Sequence, residues 1–526
     1  MVIGVGHGGG TRDRWDVALE KAVGSVALAA FEGAAARTID PLLLGWLDGT
    51  VSRIAPPGSG PSTPRHILIE SAVANAWTLP GGTILVTRGL LEQVGSDDAL
   101  AAVLAHEASH VRKRHAWRQL SENGAILALL GLVRGLSREV RGAAAIVNGL
   151  RALAASRAME TDADSGMVSN LLAVGIDPRA IEEFLGVDDG PGGVAAWLST
   201  HPGDSTRRRR IEAETLRQMD APALAQSYER RGQVRYAAAL REGHRPVLPA
   251  PPPSAPDPDG KRAALAMEIR AIQSKMRGGA WEETAGGTLR NLLLFTIDPG
   301  DMAGLLVSSR AWIVQQRVVD LASRIQRTAA FGLGTWDRLE GASRIEKAVG
   351  RGEVEWAIEA VRSAVRHLET ARRGAGLVLA NSVFRLDRRI GRPSRTTRLA
   401  TQMGLLQAAE HDVAIGERRA EEGWSRLSKA RIRAYGATLG TLAQRGTAAD
   451  ALARRWFAAR LGTAWGSSEP LDGALRRAVA LAAGMPATTL AGSTADVADE
   501  AERAGVARSV ALMVRLLVLD LERELA

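Results

Sequence analysis

Between Trp15 and Ile54 the apolar residues recur at helical spacing, and a Gly, Pro and Ser cluster from Pro56 to Pro64 then breaks the pattern. Helices closed by a loop are expected there. Two short runs rich in Ile, Leu and Val follow, His66 to Ser71 and Thr83 to Thr87, with Pro80, Gly81 and Gly82 between them. They read as strands of a small sheet. Ser96 before Asp97 and Asp98 is a helix start, a hydroxyl cap followed by two carboxylates at the positive end of the dipole. That helix should run past His110, with Leu100, Val103, Leu104 and Val111 making it half buried. A second helical pattern covers about Leu150 to Leu172, and a Gly-rich turn from Asp188 to Gly193 precedes Trp197.

The first domain is expected to span residues 1–219. Residues 220–262 read as a basic, Pro-rich linker, because Pro246 to Gly260 holds seven prolines and favours an extended, semi-rigid chain over packed structure. From 263 to 526 helical periodicity is nearly continuous, broken near Asp298, Gly391, Ser467 and Gly484, which predicts an all-α region with no assignable role. A chain of 526 residues is long enough for more than one core. With only 4% aromatic residues and abundant Ala and Leu, the expected class is mainly α with a small β-sheet.

The chain has no cysteine, which excludes disulfides, thiolate metal sites and cysteine nucleophiles. A metal would need His, Asp or Glu. The formal charge of +9 comes from arginines scattered among acidic residues, as on a solvated surface, so no nucleic-acid partner is expected. Met1 to Gly10 is glycine-rich and lacks the pattern of an export signal. Ala125 to Val133, the most apolar stretch elsewhere, is about half the length a membrane span needs. The default expectation is a cytoplasmic protein, or one at the cell envelope or membrane periphery if the native start lies further upstream. The region Ala125 to Leu153 would suit either a peripheral membrane contact or a flap over a cleft.

His106-Glu107-Ala108-Ser109-His110 places two imidazoles one helical turn apart on one face, a spacing that suits two nitrogen ligands on one zinc ion. Glu107 beside the first ligand can take a proton from water in the open zinc position and deliver it to a leaving amine. A third ligand is expected from another helix. Glu160 is the candidate, with Asp164 on the same face to orient a ligand histidine from behind and Asp162 pointing elsewhere. Taken alone, these acidic residues would be a solvated patch. His115, five residues past His110 on a continuing helix, points off the zinc-facing side, and a structural or surface role is expected for it.

These residues resemble the gluzincin peptidases of the CAAX-prenyl-protease and HtpX type, especially the soluble BepA-like members. The resemblance rests on Asn75 to Gly82 followed by Gly89-Leu90-Leu91, on His110 to His115 continuing the zinc motif, on the pattern Glu160 to Asp164, and on Ser199-Thr200-His201-Pro202. It covers roughly Thr38 to Ile211, departs from the family at Ser165, where a basic residue is common, and lacks the usual signal or anchor.

The resemblance implies a minigluzincin-like metalloprotease domain holding one zinc ion per chain and hydrolysing polypeptides, with unfolded, misfolded or membrane-associated proteins as the substrate class. It implies that an extended substrate pairs with the strand containing Thr83 and Leu85, with Asn75 and Ala76 helping to hold it. It also implies that His201 stabilises the oxyanion or, in a closed state, occupies the metal. A downstream arginine assists, with Arg207 fitting by its spacing from His201 and Arg210 by preceding Ile211. The alternative is a catalytically closed, chaperone-like zinc scaffold. In either case the C-terminal helices could recruit protein partners.

Overall fold

The computed structural model describes residues 9–34, 36–54, 64–122, 156–185, 197, 201, 206–244, 252–277, 302–383, 395–443, 451–456, 471–484 and 494–525. The Ala125 to Leu153 region, the Asp188 to Gly193 turn and three of the four residues from Ser199 to Pro202 lie outside them, as do the breaks near Asp298, Gly391 and Ser467. The described chain begins with α1 (Gly9–Ala34) and α2 (Pro41–Ile54). The strands β1 (Arg65–Ile69), β2 (Ala76–Leu79) and β3 (Thr83–Thr87) lead into α3 (Arg88–Gln93), α4 (Asp97–Arg112) and α5 (His115–Glu122). Next come α6 (Arg157–Ala173), α7 (Ile181–Leu185), α8 (Arg207–Gln218), α9 (Ala221–Arg230) and α10 (Val234–Arg241). The rest comprises α11 (Lys261–Arg277), α12 (Met302–Arg338), α13 (Arg344–Val383), α14 (Arg395–Ala443), α15 (Leu471–Ala482), α16 (Thr494–Arg503) and α17 (Ala507–Leu525). The protein is mainly α with a small sheet, and no described helix is long and apolar enough to cross a membrane.

The sheet has the order β1-β3-β2, with β3 parallel to β1 and antiparallel to β2. Thr83 and Leu85 therefore sit on a central strand, Thr83 opposite Arg65 and Leu79, Leu85 opposite Ile67 and Trp77. A strand paired on both sides has no edge to offer, which overturns the expectation that substrate adds to it. The edges belong to β1, which is bridged at Ile69 by Arg37, and to β2. The four residues of β2 were not legible as a strand because they bury nearly every side chain and show no alternation of apolar and polar positions. The turn into β3 uses Gly81 and Gly82 with φ of +79° and +91°, and Lys21 of α1 approaches Gly81 so closely that a Cβ would meet its Cα at 3.0 Å.

Helix α4 starts as its sequence dictates, the Ser96 hydroxyl accepting from Ala99 N–H at 3.1 Å. It is not half buried. Every residue from Asp98 to His110 is inside, and the alanines 99, 101, 102, 105 and 108 let neighbours approach on all sides. The core α4 belongs to extends far along the chain. A single apolar cluster joins Leu42, Val86, Leu104 and Val168 to Ile432, Leu439, Leu512 and Leu521, so α14 and α17 share one core with the sheet and α4.

A second core holds α11 to α14 together. At 37, 40 and 49 residues, α12, α13 and α14 are each roughly 55–75 Å long. Arg310 pairs with Glu410 and Arg317 with Glu417, so α12 and α14 run parallel in a heptad-spaced ladder. Glu346 meets Arg433 while Glu353 meets Lys429, so α13 runs the other way. The two cores are bridged by buried charge. Glu92 at the end of α3 takes Arg508 at 2.9 Å and Arg327 at 2.6 Å, and Asp320 of α12 accepts from Ser71 Oγ and Ala72 N–H in the loop before β2.

Residues 220–262, expected as linker, contain the hairpin α9–α10, packed through Leu224, Tyr228, Tyr236 and Leu240 with the two tyrosine rings stacked 4.1 Å apart. The described proline stretch forms neither helix nor strand, yet Ala255 within it is buried in the second core and donates to Asp337 at 2.9 Å. It is docked rather than free.

Candidate metal centre

Four residues converge between α4, α6 and the segment before α8. His106, His110, Glu160 and His201 are all buried, and one potential ligand atom from each lies within 4.8 Å of the others. His106 and His110 face each other Nε2 to Nε2 at 3.0 Å because they are one turn apart on α4. Glu160 comes from the first turn of α6, whose cap is Ser156 accepting from Met159 N–H at 3.2 Å. Its Oε2 lies 3.3 Å from His106 Nε2 and its Oε1 3.4 Å from His110 Nε2. His201 Nδ1 is 3.1 Å from Glu160 Oε1 and 3.4 Å from His106 Nε2.

The donor set suits a divalent cation that accepts imidazole and carboxylate together. Glu160 Oε2 is buried without a hydrogen-bond partner, a costly state for a carboxylate that a cation would relieve. Without a cation the cluster holds charge among itself. Burial opposes a proton on His106, but the Asp164 and Glu160 carboxylates outweigh it and raise the imidazole to about 9. Burial likewise opposes ionisation of Glu160, yet the surrounding histidines hold it well below the usual carboxylate range. His110, with the same burial and weaker acidic support, is pushed down.

Around these four stand their supports. Asp164 Oδ1 is 2.9 Å from His106 Nδ1, which leaves Nε2 for the cluster. Arg207 grips the same carboxylate with two bonds of 2.8 and 3.0 Å and donates to the His201 carbonyl at 3.2 Å. Of the two arginine registers, the one at Arg207 reaches the cluster; Arg210 is exposed. Trp197 stacks on the His201 ring at 4.6 Å with Arg207 over its own ring at 4.8 Å. Glu107 is fully buried beside the cluster, its Oε1 3.2 Å from His201 Nε2 and its Oε2 accepting from the Thr78 hydroxyl at 2.8 Å. Thr78 is on β2, so the sheet edge and the glutamate are in direct contact. Asn75 and Ala76 stand at the start of that strand, where the Asn75 side chain accepts from Ala76 N–H at 2.8 Å.

Sequence reasoning gave no site role to Thr78 or Trp197, set Asp162 aside as pointing elsewhere and gave His115 a structural or surface role. Trp197 carried a signal, since it lies one turn before His201 and the His201 N–H donates to its carbonyl at 2.8 Å. His115 is buried rather than at the surface, and its Nδ1 lies 2.9 Å from His110 Nδ1. Asp162 reaches the other face of that ring, 3.3 Å from Nε2.

Residues 41–215 match the family described as Peptidase family M48. The mitochondrial metalloendopeptidase OMA1 of Schizosaccharomyces pombe is 34% identical over 151 residues, 28% of this chain and 44% of that protein. The protein of the same name from Saccharomyces cerevisiae is 37% identical over 156 residues, 27% of this chain and 44% of its own length. A beta-barrel assembly-enhancing protease of Yersinia pestis is 27% identical over 178 residues, 32% of this chain and 37% of that protein. The chain thus spans less than half the length of these curated relatives. The match to peptidase family M48 falls on residues 41–215, the part of the chain that carries the buried His-His-Glu-His cluster.

Proposed function

We propose that this protein is a zinc-dependent endopeptidase that hydrolyses peptide bonds of unfolded, misfolded or membrane-associated polypeptides. The observation that carries the reading is the convergence of His106, His110 and Glu160 on one point, with the Glu107 carboxylate beside it and held by Thr78. His106, His110 and Glu160 would hold one zinc ion, which supplies Lewis acidity to the scissile carbonyl and the attacking water. Glu107 takes the proton from that water and passes it to the leaving amine, a role that needs a carboxylate free of the metal but within reach of it. The substrate backbone adds to β2, which has β3 as its one sheet neighbour among the described strands. That placement brings an extended chain past Glu107. Stabilising the charge that develops on the carbonyl oxygen falls to His201, assisted by Arg207, which donates to the His201 carbonyl.

A second reading has its own support: His201 stands within the ligand cluster, 3.1 Å from Glu160. A site whose fourth corner is filled by a side chain is closed, which suits a zinc scaffold or a resting protease. Zinc content and casein cleavage of wild type beside Glu107→Gln separate the two. Zinc in both proteins with cleavage by wild type alone is the expected result. Zinc in both with cleavage by neither favours the closed reading, and zinc in neither rejects the ligand set.

A further inference from the structure

Helix α4 does not continue to His115. It ends at Arg112, Lys113 caps it, and Arg114 adopts φ of +53°, a left-handed conformation that costs a non-glycine residue about 1 kcal/mol or more. Arg114 is the one described non-glycine residue with positive φ. It is clamped from α1, donating to Glu20 at 2.7 Å and to Asp16 at 2.8 Å. The reversal starts α5 at His115 and folds that imidazole back onto His110, where an unbroken helix would have carried it round to another face.

The resulting contacts assign protons. Asp162, ionised and paired with Lys113, can only accept, so His115 Nε2 must donate to it across 3.3 Å. A neutral imidazole that donates from Nε2 accepts at Nδ1, and the atom facing His115 Nδ1 at 2.9 Å is His110 Nδ1. His110 therefore carries its proton on Nδ1, and its Nε2 lone pair points into the cluster. His106 is oriented by direct contact of its Nδ1 with Asp164, which turns its Nε2 into the cluster. The two ligand histidines are oriented by different means, one by a carboxylate and one by a carboxylate acting through a further imidazole.

We propose that Asp162 and His115 form a relay that fixes the His110 ring with Nε2 facing the metal, making both of them positioning residues of the metal centre. The inference rests on the zinc reading above and concerns residues outside the ligand set. The strained turn at Arg114 is then part of the site, because it places His115.

The test is zinc affinity, measured by competition with a chromogenic chelator, for full-length wild type, Asp162→Ala, His115→Ala and His115→Asn. Asp162 has a half-exposed side chain, so its replacement removes the terminal acceptor without opening the core. Asp162→Ala and His115→Ala are expected to lose about tenfold or more in affinity, the range found for partners behind metal ligands. His115→Asn restores most of the loss, since its amide oxygen can accept from His110 Nδ1–H. A purely space-filling histidine would be served equally well or badly by either replacement. Affinity of Asp162→Ala within twofold of wild type overturns the relay, as does His115→Asn binding no better than His115→Ala. If His115→Ala does not fold, Asp162→Ala decides alone. Wild type that binds no zinc rejects the metal reading itself, a result distinct from wild-type affinity that ignores Asp162.

Discussion

The hydroxyl of Thr78 lies 2.8 Å from Glu107 Oε2 and 3.0 Å from the Glu107 carbonyl, so one side chain of the sheet edge touches both ends of the proposed base. Its single proton can serve one of the two at a time, and only the carboxylate bond fixes the rotamer of Glu107. Thr78→Val keeps the shape and removes the bond. It is expected to lower kcat about tenfold while zinc content and KM stay near wild type, because the loss falls on proton transfer. Steady-state kinetics on a quenched-fluorescence peptide beside metal analysis would check it, and an unchanged kcat would leave the hydroxyl without a catalytic part.

Asp164 offers a prediction on the metal itself. It joins His106 Nδ1 to the two-pronged grip of Arg207. Asp164→Asn should weaken zinc binding by about 10–100-fold. Arg207→Lys should weaken it less, since a lysine keeps a charge near Asp164 but loses the fork. Chelator competition gives both numbers, and a larger effect for Arg207→Lys would mean that the arginine acts on the metal by another route.

How much of this could be read from the chain depends on the range of the interactions involved. The α4 cap, the His106 and His110 spacing and the Glu160 to Asp164 spacing are set within a few residues, so periodicity and residue type expose them. The reversal at Arg114 is equally local but was hidden, because left-handed turns are signalled by glycine and this one is held by Asp16 and Glu20 nearly a hundred residues away. Strand order was hidden for a different reason. Nothing in Thr83 to Thr87 distinguishes a central strand from an edge until Ala76 to Leu79 has paired with it. The continuation of the α4 core into α14 and α17 is likewise encoded by no pattern around Ser96.

The bridge at Glu92 should be expensive to break. Burial opposes its charge, yet Arg508, Arg327 and Arg88 together hold it well below the usual carboxylate range. Glu92→Gln leaves those cations without their shared anion and is expected to cost about 3–5 kcal/mol in urea unfolding. Glu410→Gln, which breaks a partly exposed pair on the outer ladder with Arg310, should cost no more than about 1 kcal/mol. Equal effects would mean that the interior pair is no more important than the outer one.

Acid stability carries a separate signature at His66 on β1. Burial pushes its imidazole down to about 4, outweighing the support of the Pro64 backbone and the Glu107 charge. The unfolded chain therefore takes up this proton first as pH falls. The stability linked to His66 is full above pH 6.5 and is lost as pH drops through the interval from 6.5 to about 4, by up to about 3 kcal/mol. Glu92, a carboxylate held down in the fold, gives up its contribution only below about 4.5. His66→Gln should reduce the slope of the profile between pH 6.5 and 4.5, the rest coming from His110 and His115, whose imidazoles burial also pushes down; denaturant titrations at several pH values that give the wild-type slope unchanged would mean that His66 is not responsible.

The core shared by α4 and α17 sets an order of events during synthesis. Leu104 beside the first ligand histidine and Leu521 belong to one apolar cluster, yet roughly 400 residues separate them along the chain. At ordinary translation speeds the metal-binding helix leaves the ribosome roughly 20–80 s before the last helix of its apolar cluster. During that interval α2 and the strands made before it are available to pack on it, while the far part of the cluster is still missing. The cluster is completed only when Leu521 has emerged, so the core that carries the metal-binding helix is finished last.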